Sequence, residues 1–246
     1  MMNRFKATWS GARFFVFLFA ASMCFGMAPP VWAVTSGEGV AAYERNDFVA
    51  ALGILGPLAE QGNPEAQFYL GLMYDLGQGV TQSDKESLRL YRSSADQGYP
   101  MAQYYLGLMY DNGQGVPQDF TEALRLYRLA GGQGSALAQY HLGFMYENGN
   151  GVDKNLQEAA KWYRLAATQG DANGQYALGL LYVDGRGTSE DQVLGYMWVA
   201  MAAAAGDTSA AATQRALESK LSSAQVMEAQ NLSRKCKDSG YRACER

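Results

Sequence analysis

Histidine and cysteine are scarce in this chain of 246 residues. His141 is the only histidine, and the cysteines are Cys24, Cys236 and Cys244. A zinc site needs about four nitrogen, sulfur or carboxylate ligands close together, and a nucleophilic serine or cysteine needs a base beside it. A single histidine, with no partner at a suitable spacing, supplies neither arrangement. The sequence therefore predicts a protein that is not an enzyme and that holds no metal or cofactor.

Basic residues are also few. Residues 34–233 carry twelve basic and twenty-two acidic side chains, a net charge of −10. An acidic surface repels the phosphates of nucleic acids and the anionic headgroups of membranes. We therefore expect no nucleic acid among the partners, and no membrane contact except through a transient N-terminal signal.

The longest apolar run lies near the N-terminus and is short. Three basic residues precede an apolar run over 14–27, and a loose small-residue cleavage signal ends at Ala33. This order is typical of a secretory signal peptide, and the run is too short to favour a membrane span. The sequence predicts a signal peptide at 1–33 and a periplasmic or secreted protein. An uncleaved anchor is the alternative.

Cleavage near Ala33 would leave Cys236 and Cys244 as the only cysteines. An oxidising compartment allows the two thiols to pair. The resulting disulfide would close a short loop at the end of the chain, so its stabilising effect would be modest and local. Two free thiols are the alternative, and the export signal favours the disulfide.

Internal repetition is what the chain has in abundance. The pair Leu-Gly recurs every 36 residues, and the same step carries a tyrosine and then a glycine. The Leu-Gly pairs begin at Leu70, Leu106, Leu142 and Leu178. A fixed period of this size indicates a stacked repeat array, which presents a long surface and no single deep pocket. The repetition therefore favours binding as the function.

Each 36-residue unit predicts two antiparallel helices. The first helix opens at Asn63 or its counterparts and ends at glycines such as Gly77. The second opens with a capping box such as that of Ser83 and Glu86. Glycine recurs inside the first helix at Gly71 and its counterparts, which indicates close backbone approach by a neighbouring helix. No strand-like alternation competes.

These signals together predict an all-α fold, an α-solenoid of stacked helix-turn-helix repeats. We expect a half repeat or cap at 34–62, four repeats over 63–206, and an atypical helix pair over 207–246 that caps the stack. The capping pair would cover the last apolar face of the array.

Residues 102–134 carry the fullest copy of the repeat. They read Ala-Gln-Tyr-x-Leu-Gly-x-Met-Tyr-x-x-Gly-x-Gly-Val, then Glu-Ala-x-x-x-Tyr-Arg, then Gln-Gly. This pattern resembles the Sel-one-like repeat, a relative of the tetratricopeptide repeat, over about residues 39–206. The fourth unit departs from it at Thr188 and Gly195. The resemblance implies an α-solenoid that acts as an adaptor in protein complexes, and bacterial members are often exported.

Three rows of residues recur on the side of the first helices opposite their most buried arc. The aromatic row is Phe68, Tyr104, Tyr140 and Tyr176; the apolar row includes Leu72, Leu108 and Phe144; the acidic row is Asp75, Asp111 and Glu147. Exposed contiguous apolar surface usually marks an interaction site, and rigid aromatics often anchor interfaces. We predict that these ten residues bind the partner. The alternative is that the aromatic and apolar rows form the core between repeats.

Two further positions invite a structural interpretation. Gln67 and its three counterparts recur without exception, and we interpret them as structural hydrogen-bonding groups. His141 lies beside the tyrosine row, and we interpret it as a packing or groove residue.

The sequence thus predicts an exported, non-enzymatic adaptor that binds envelope or secreted proteins through the concave face of a solenoid. The alternative is a binder or hydrolase of cell-wall material, peptidoglycan or β-lactam-like. Some cysteine-rich relatives have been linked to such ligands and carry a disulfide in each repeat. The repeats of this chain contain no cysteine.

Overall fold

The computed structural model describes residues 35–244, which fold into twelve α-helices without a strand. The helices are α1 (Ser36–Glu44), α2 (Phe48–Glu60), α3 (Pro64–Leu76), α4 (Asp84–Asp96), α5 (Pro100–Asn112), α6 (Phe120–Gly132), α7 (Ala136–Asn148), α8 (Leu156–Ala167), α9 (Ala172–Asp184), α10 (Gln192–Ala204), α11 (Thr208–Glu218) and α12 (Ser223–Asp238). The predicted all-α fold is confirmed. The predicted signal peptide at 1–33 lies outside the described residues.

Helices packed in tandem hairpins build the stack. Each of the helices α3, α5, α7 and α9, the first helices, packs against the second helix of its own unit and against the second helix of the preceding unit. The helix α10 also contacts α11 and α12. None of the helices in residues 35–244 is long and apolar enough to cross a membrane.

Capping side chains explain where the helices begin. The side chain of Asn63 accepts a hydrogen bond from the Ala66 amide at 2.9 Å, and Ser83 Oγ accepts one from the Glu86 amide at 3.3 Å. The predicted second half of the capping box is not formed at Glu86, whose carboxylate binds Arg89 at 3.0 Å. A full capping box occurs at Ser222 and Gln225. The first hydrogen bond alone satisfies an amide that would otherwise lack a partner.

The glycines inside the first helices make room for tyrosine rings. A methyl carbon added to Gly107 would lie 2.7 Å from Cε1 of Tyr127, and the same relation holds for Gly71 and Tyr91. The backbone approach that the sequence predicts occurs in the fourth unit, where the added carbon on Gly179 would lie 3.0 Å from the Gly195 carbonyl oxygen. Small residues on both helices of that unit allow this contact.

The recurrent glutamines tie each unit to the preceding one. Gln67 Nε2 donates to the Ala59 carbonyl at 3.2 Å, and Gln97 Nε2 donates to Gln67 Oε1 at 2.8 Å. Equivalent bonds recur around Gln103 and Gln139. The predicted structural role of these side chains is confirmed, since a buried amide left without partners would be costly.

The predicted disulfide links α12 to the residues that follow it. Cys236 and Cys244 are bonded, their Cα atoms are 4.4 Å apart, and both side chains are buried. They belong to the same core cluster as Trp198 of α10. The disulfide therefore fixes the residues after α12 against the last repeat.

Candidate partner-binding face

An unbroken series of aromatic ring contacts, which we call the aromatic ladder, runs along α1, α3, α5 and α7. Its centroid distances are 5.4 Å for Tyr43–Tyr69, 5.1 Å for Tyr69–Phe68, 5.4 Å for Phe68–Tyr105, 5.3 Å for Tyr105–Tyr104, 5.5 Å for Tyr104–His141 and 5.3 Å for His141–Tyr140. These spacings are those that aromatic pairs prefer. The ladder uses two neighbouring positions in each unit, of which the sequence analysis assigned only one to partner binding.

The predicted aromatic row is only partly open to solvent. Phe68 is 2 % exposed and Tyr104 is 7 % exposed, so both are core, whereas Tyr140 and Tyr176 are half-buried. The expectation of an open row is therefore wrong at Phe68 and Tyr104.

The covering residue comes from the next unit. Tyr105 packs on Phe68, and His141 packs on Tyr104. The position that would cover Tyr140 holds Ala177, which has no ring. The exposure of each aromatic residue is thus set by a side chain that lies 37 residues further along the chain.

The helix α7 carries an exposed apolar stripe. Phe144 is 43 % exposed and Leu137, two turns earlier, is 37 % exposed. Tyr140 and His141 lie between them on the same face, because residues three or four apart are neighbours on a helix. Leu72 and Leu108, the other members of the apolar row, are half-buried. Leu137 was not among the predicted binding residues, although its spacing from Phe144 placed it on that face.

The acidic row has a structural role that the sequence did not predict. Tyr127 Oη donates to the Asp111 carboxylate at 3.1 Å, and Tyr163 Oη donates to Glu147 at 2.8 Å. Burial, and then the Asp111 carboxylate, raise the pKa of Tyr127 above its ordinary value. In the fourth unit, valine replaces the acid and the tyrosine together, at Val183 and Val199. The paired replacement agrees with this hydrogen bond being what the two positions share.

His141 serves as a packing residue and also lies at the edge of the face. Its ring is half-buried, and its Nε2 lies 3.2 Å from Tyr104 Oη. Burial lowers the pKa of His141, while the carboxylates of Asp111 and Asp171 act in the opposite direction. Burial also raises the pKa of Asp171. Among residues 35–244, no group of three or more histidine, cysteine or acidic side chains is placed to hold a metal ion.

Charge is divided between the two sets of helices. The four first helices contain no lysine or arginine. Their acidic residues are Glu65, Asp75, Asp111, Glu147 and Asp184. The second helices α4, α6 and α8 carry Lys85, Arg89, Arg92, Arg125, Arg128, Lys161 and Arg164. The face formed by the solvent-side residues of α3, α5, α7 and α9, which we call the first-helix face, is therefore apolar and acidic.

The comparison with protein families gives four consecutive matches to the Sel1 repeat, at residues 64–99, 100–135, 136–171 and 172–207. The chain belongs to the Sel1-repeat family. Proteins with Sel1 repeats generally mediate protein–protein interaction, and the family is typically a non-catalytic scaffold. The resemblance found in the sequence is thus confirmed.

Two solved structures resemble this Sel1-repeat protein. A Sel1 repeat protein from Oxalobacter formigenes is 35 % identical, with a TM-score of 0.68 over 73 % of this chain and 74 % of that one. A protective antigen of uropathogenic Escherichia coli strains, which displays an SLR fold, is 25 % identical, with a TM-score of 0.54 over 85 % of this chain and 56 % of that one. The present chain therefore spans just over half the length of the antigen. A comparison with curated proteins gives no match.

Proposed function

We propose that this Sel1-repeat protein is an exported, non-enzymatic adaptor that binds envelope or secreted proteins along its first-helix face. The observation that carries the proposal is the exposed apolar stripe of α7, from Leu137 to Phe144, which includes Tyr140 and His141 of the aromatic ladder. Apolar side chains that remain exposed together on one face usually mark an interaction site.

The ladder beneath the stripe supports this role. Tyr104 is buried and touches both Tyr105 and His141, so the rings that carry the stripe are held in place before a partner arrives. A surface that is already ordered loses little conformational entropy on binding. The predicted residues Tyr140, Phe144, Leu72 and Leu108 remain available for contact, whereas Phe68 and Tyr104 act by supporting them.

Binding or hydrolysis of cell-wall material is the other function that the sequence left open. It rested on relatives with a disulfide in each repeat, whereas the disulfide among the described residues joins Cys236 of α12 to Cys244 and lies outside the repeats. The ring planes of the ladder are mostly turned against one another, as in Tyr104–Tyr105 at 84°. Such edge contacts leave fewer open ring faces for sugar stacking. We retain peptidoglycan fragments as a competing ligand in the binding assay.

The double variant Leu137→Ala, Phe144→Ala tests the binding face. We expect partner affinity to fall by about 2 kcal/mol or more, the usual threshold for a hot spot, with little change in melting temperature. The partner is first recovered by placing a photoreactive phenylalanine analogue at position 144 in the source cells, and affinity is then measured by calorimetry.

The matched control is Leu129→Ala, Leu165→Ala, which removes leucines 43 % and 47 % exposed on the second helices. Its affinity should equal that of the unmodified protein, and a photoreactive group at position 165 should capture a different set of proteins or none. Equal loss in both double variants would contradict the assignment of the face. Binding of peptidoglycan fragments in place of a protein would favour the cell-wall alternative.

Export is tested on the N-terminus of the protein taken from its source cells. The disulfide at Cys236 and Cys244 supports an oxidising compartment. Mass spectrometry should find a chain that begins at or near Val34, in the fraction outside the cytoplasm. A full-length chain recovered from the cytoplasm would contradict export.

A further inference from the structure

We propose that the segment bound on the first-helix face is cationic, with lysine or arginine side chains beside aromatic or aliphatic ones. This inference rests on the proposed function, whose binding face it uses, and adds the chemistry of the partner.

The charged side chains of the first helices are all acidic. No lysine or arginine lies in the helices α3, α5, α7 and α9, two of which bear the exposed residues Leu76, Leu137 and Phe144. At the starts of α9 and α11, Asp171 and Asp207 add two carboxylates as N-caps. Apart from Lys154 and Arg186, which lie in the loops after α7 and α9, the basic residues of the same repeats lie on the second helices, so a partner on the first-helix face meets mostly negative charge.

The carboxylates act directly on the ladder. Asp171 and Asp111 both contribute to the raised pKa of Tyr104, and Asp171, Glu147 and Asp207 contribute to that of Tyr140. Burial makes the larger contribution in each case and brings the pKa of Tyr104 to about 12. Because such effects fade over several ångströms of protein and solvent, these acids lie near buried Tyr104 and half-buried Tyr140.

Several of these acids have no cation of their own. Glu147 is paired with Arg186 at 2.9 Å. Among residues 35–244, Asp111, Asp171 and Asp207 form no ion pair with lysine or arginine. Their hydrogen bonds come from Tyr127 and from the amides of Gly174 and Ala210. No lysine or arginine within the described chain compensates these charges, although the helix N-termini of α9 and α11 offset those of Asp171 and Asp207 in part.

The cost of desolvation decides which partner fits. An apolar segment that covered Asp111 and Asp171 would remove water from two carboxylates and give no cation in return, which is unfavourable. An acidic segment would add repulsion. A segment with lysine or arginine at those points compensates the charge. The same acids thus favour cationic partners and disfavour others.

Length can be estimated from the spacing of the helices. Packed helices lie about 10 Å apart, so the four first helices span about 30 Å, which an extended segment of about nine residues covers. Dodecapeptides are therefore long enough to reach the whole face.

Selection of random dodecapeptides on the purified protein tests the proposal. Clones that bind the unmodified chain and fail to bind the Leu137→Ala, Phe144→Ala variant are sequenced. We expect these clones to be enriched in lysine and arginine, together with aromatic or aliphatic residues, relative to the starting library. Their affinity, measured by fluorescence anisotropy, should fall as salt is raised from low to molar concentration.

Charge variants give the second measurement. In Asp171→Asn, Asp207→Asn, asparagine preserves the capping ability while two charges are removed. We expect the selected peptides to bind about tenfold more weakly, the order of magnitude for two partly screened charges. The control Asp47→Asn, Asp119→Asn makes the same change at the N-caps of α2 and α6. It should alter binding by less than about twofold, because those caps lie on second helices.

The possible outcomes distinguish a failure of the charge assignment from a failure of the proposed binding function. Face-dependent peptides without cationic enrichment, or with affinity unaffected by Asp171→Asn, Asp207→Asn, would overturn the charge assignment and leave the binding face intact. Failure to obtain any peptide that depends on Leu137 and Phe144, while the photoreactive group at position 144 also captures nothing, would overturn the proposed function and this inference with it.

Discussion

Replacing Tyr104 by alanine is expected to lower the free energy of unfolding by about 3–5 kcal/mol, the usual range for removing a buried aromatic ring. The side chain is 7 % exposed and contacts the rings of Tyr105, Tyr127 and His141 at 5.3, 5.9 and 5.5 Å. Its loss would leave a cavity between two consecutive repeats. Urea denaturation gives the free energy, and hydrogen exchange should show the added opening in α5 and α7.

The matched control is Tyr140→Ala, the same change one unit later. Tyr140 is half-buried, and Ala177 stands where His141 stands for Tyr104, so we expect a clearly smaller loss of stability. Tyr104→Phe keeps the ring and removes only the hydroxyl with its hydrogen bond to His141, which should lower the free energy of unfolding by about 1 kcal/mol. Equal losses at positions 104 and 140 would show that the next unit does not cover Tyr104.

The period of 36 residues predicted the fold because each conserved spacing has a local physical cause. Helix starts can be predicted from cap residues such as Asn63 and Ser83, because the side chain that accepts a hydrogen bond from the helix amide is close to it in sequence. The glutamines were readable as structural because a buried amide group recurring in every unit must have partners. Signals of this kind need no knowledge of how the units stack.

Exposure of the aromatic row could not be predicted in the same way. A helical phase argument places Phe68, Tyr104 and Tyr140 on one face and treats them as equivalent. In the structure the covering side chain comes from the next unit, and it is Tyr105, His141 or Ala177. The exposure of the aromatic row therefore increases along the stack, from buried Phe68 and Tyr104 to half-buried Tyr140. Comparing residues 37 apart would have shown this gradient, once the stacking geometry was known.

The capping boxes show a different limit. Glu86 can reach back to the backbone of Ser83 or forward to Arg89, and each contact contributes only a few tenths of a kcal/mol to about 1 kcal/mol. The structure has the ion pair, at 3.0 Å. Because the two alternatives are so close in free energy, the sequence pattern alone cannot distinguish them.

Burial of two of the four residues of the aromatic row also bears on function. If every ring of the row were exposed, binding would have to order these side chains, and the loss of conformational entropy would weaken the affinity. Here Tyr104 and Phe68 are buried in the fold, and His141 of α7 packs on Tyr104. The stability of the stack and the readiness of the face to bind are therefore linked, and variants must be measured for both.

Replacing Gly151 by alanine is expected to cost about 3 kcal/mol or more, because two unfavourable effects add at this position. Its φ of +67° is a left-handed conformation, which costs an alanine about 1–2 kcal/mol. The added carbon would also lie 2.5 Å from the carbonyl oxygen and 2.6 Å from the carbonyl carbon of Phe120. Phe120 is the first residue of α6, so the overlap can be relieved only by moving one repeat away from the next.

Two control variants separate these effects. Gly134 has a φ of +94° with nothing within 4 Å of an added carbon, so Gly134→Ala should show the conformational cost alone. Gly132, the last residue of α6, has neither a positive φ nor neighbours within 4 Å, and Gly132→Ala should raise stability slightly, by about 0.4–1 kcal/mol. Urea denaturation of the three variants should therefore rank Gly151→Ala as least stable. If Gly151→Ala lost no more than Gly134→Ala, the loop would not set the distance between repeats. If it lost clearly more, the spacing of the stack, and with it the contact of each tyrosine with the unit that follows, depends on a glycine at this point.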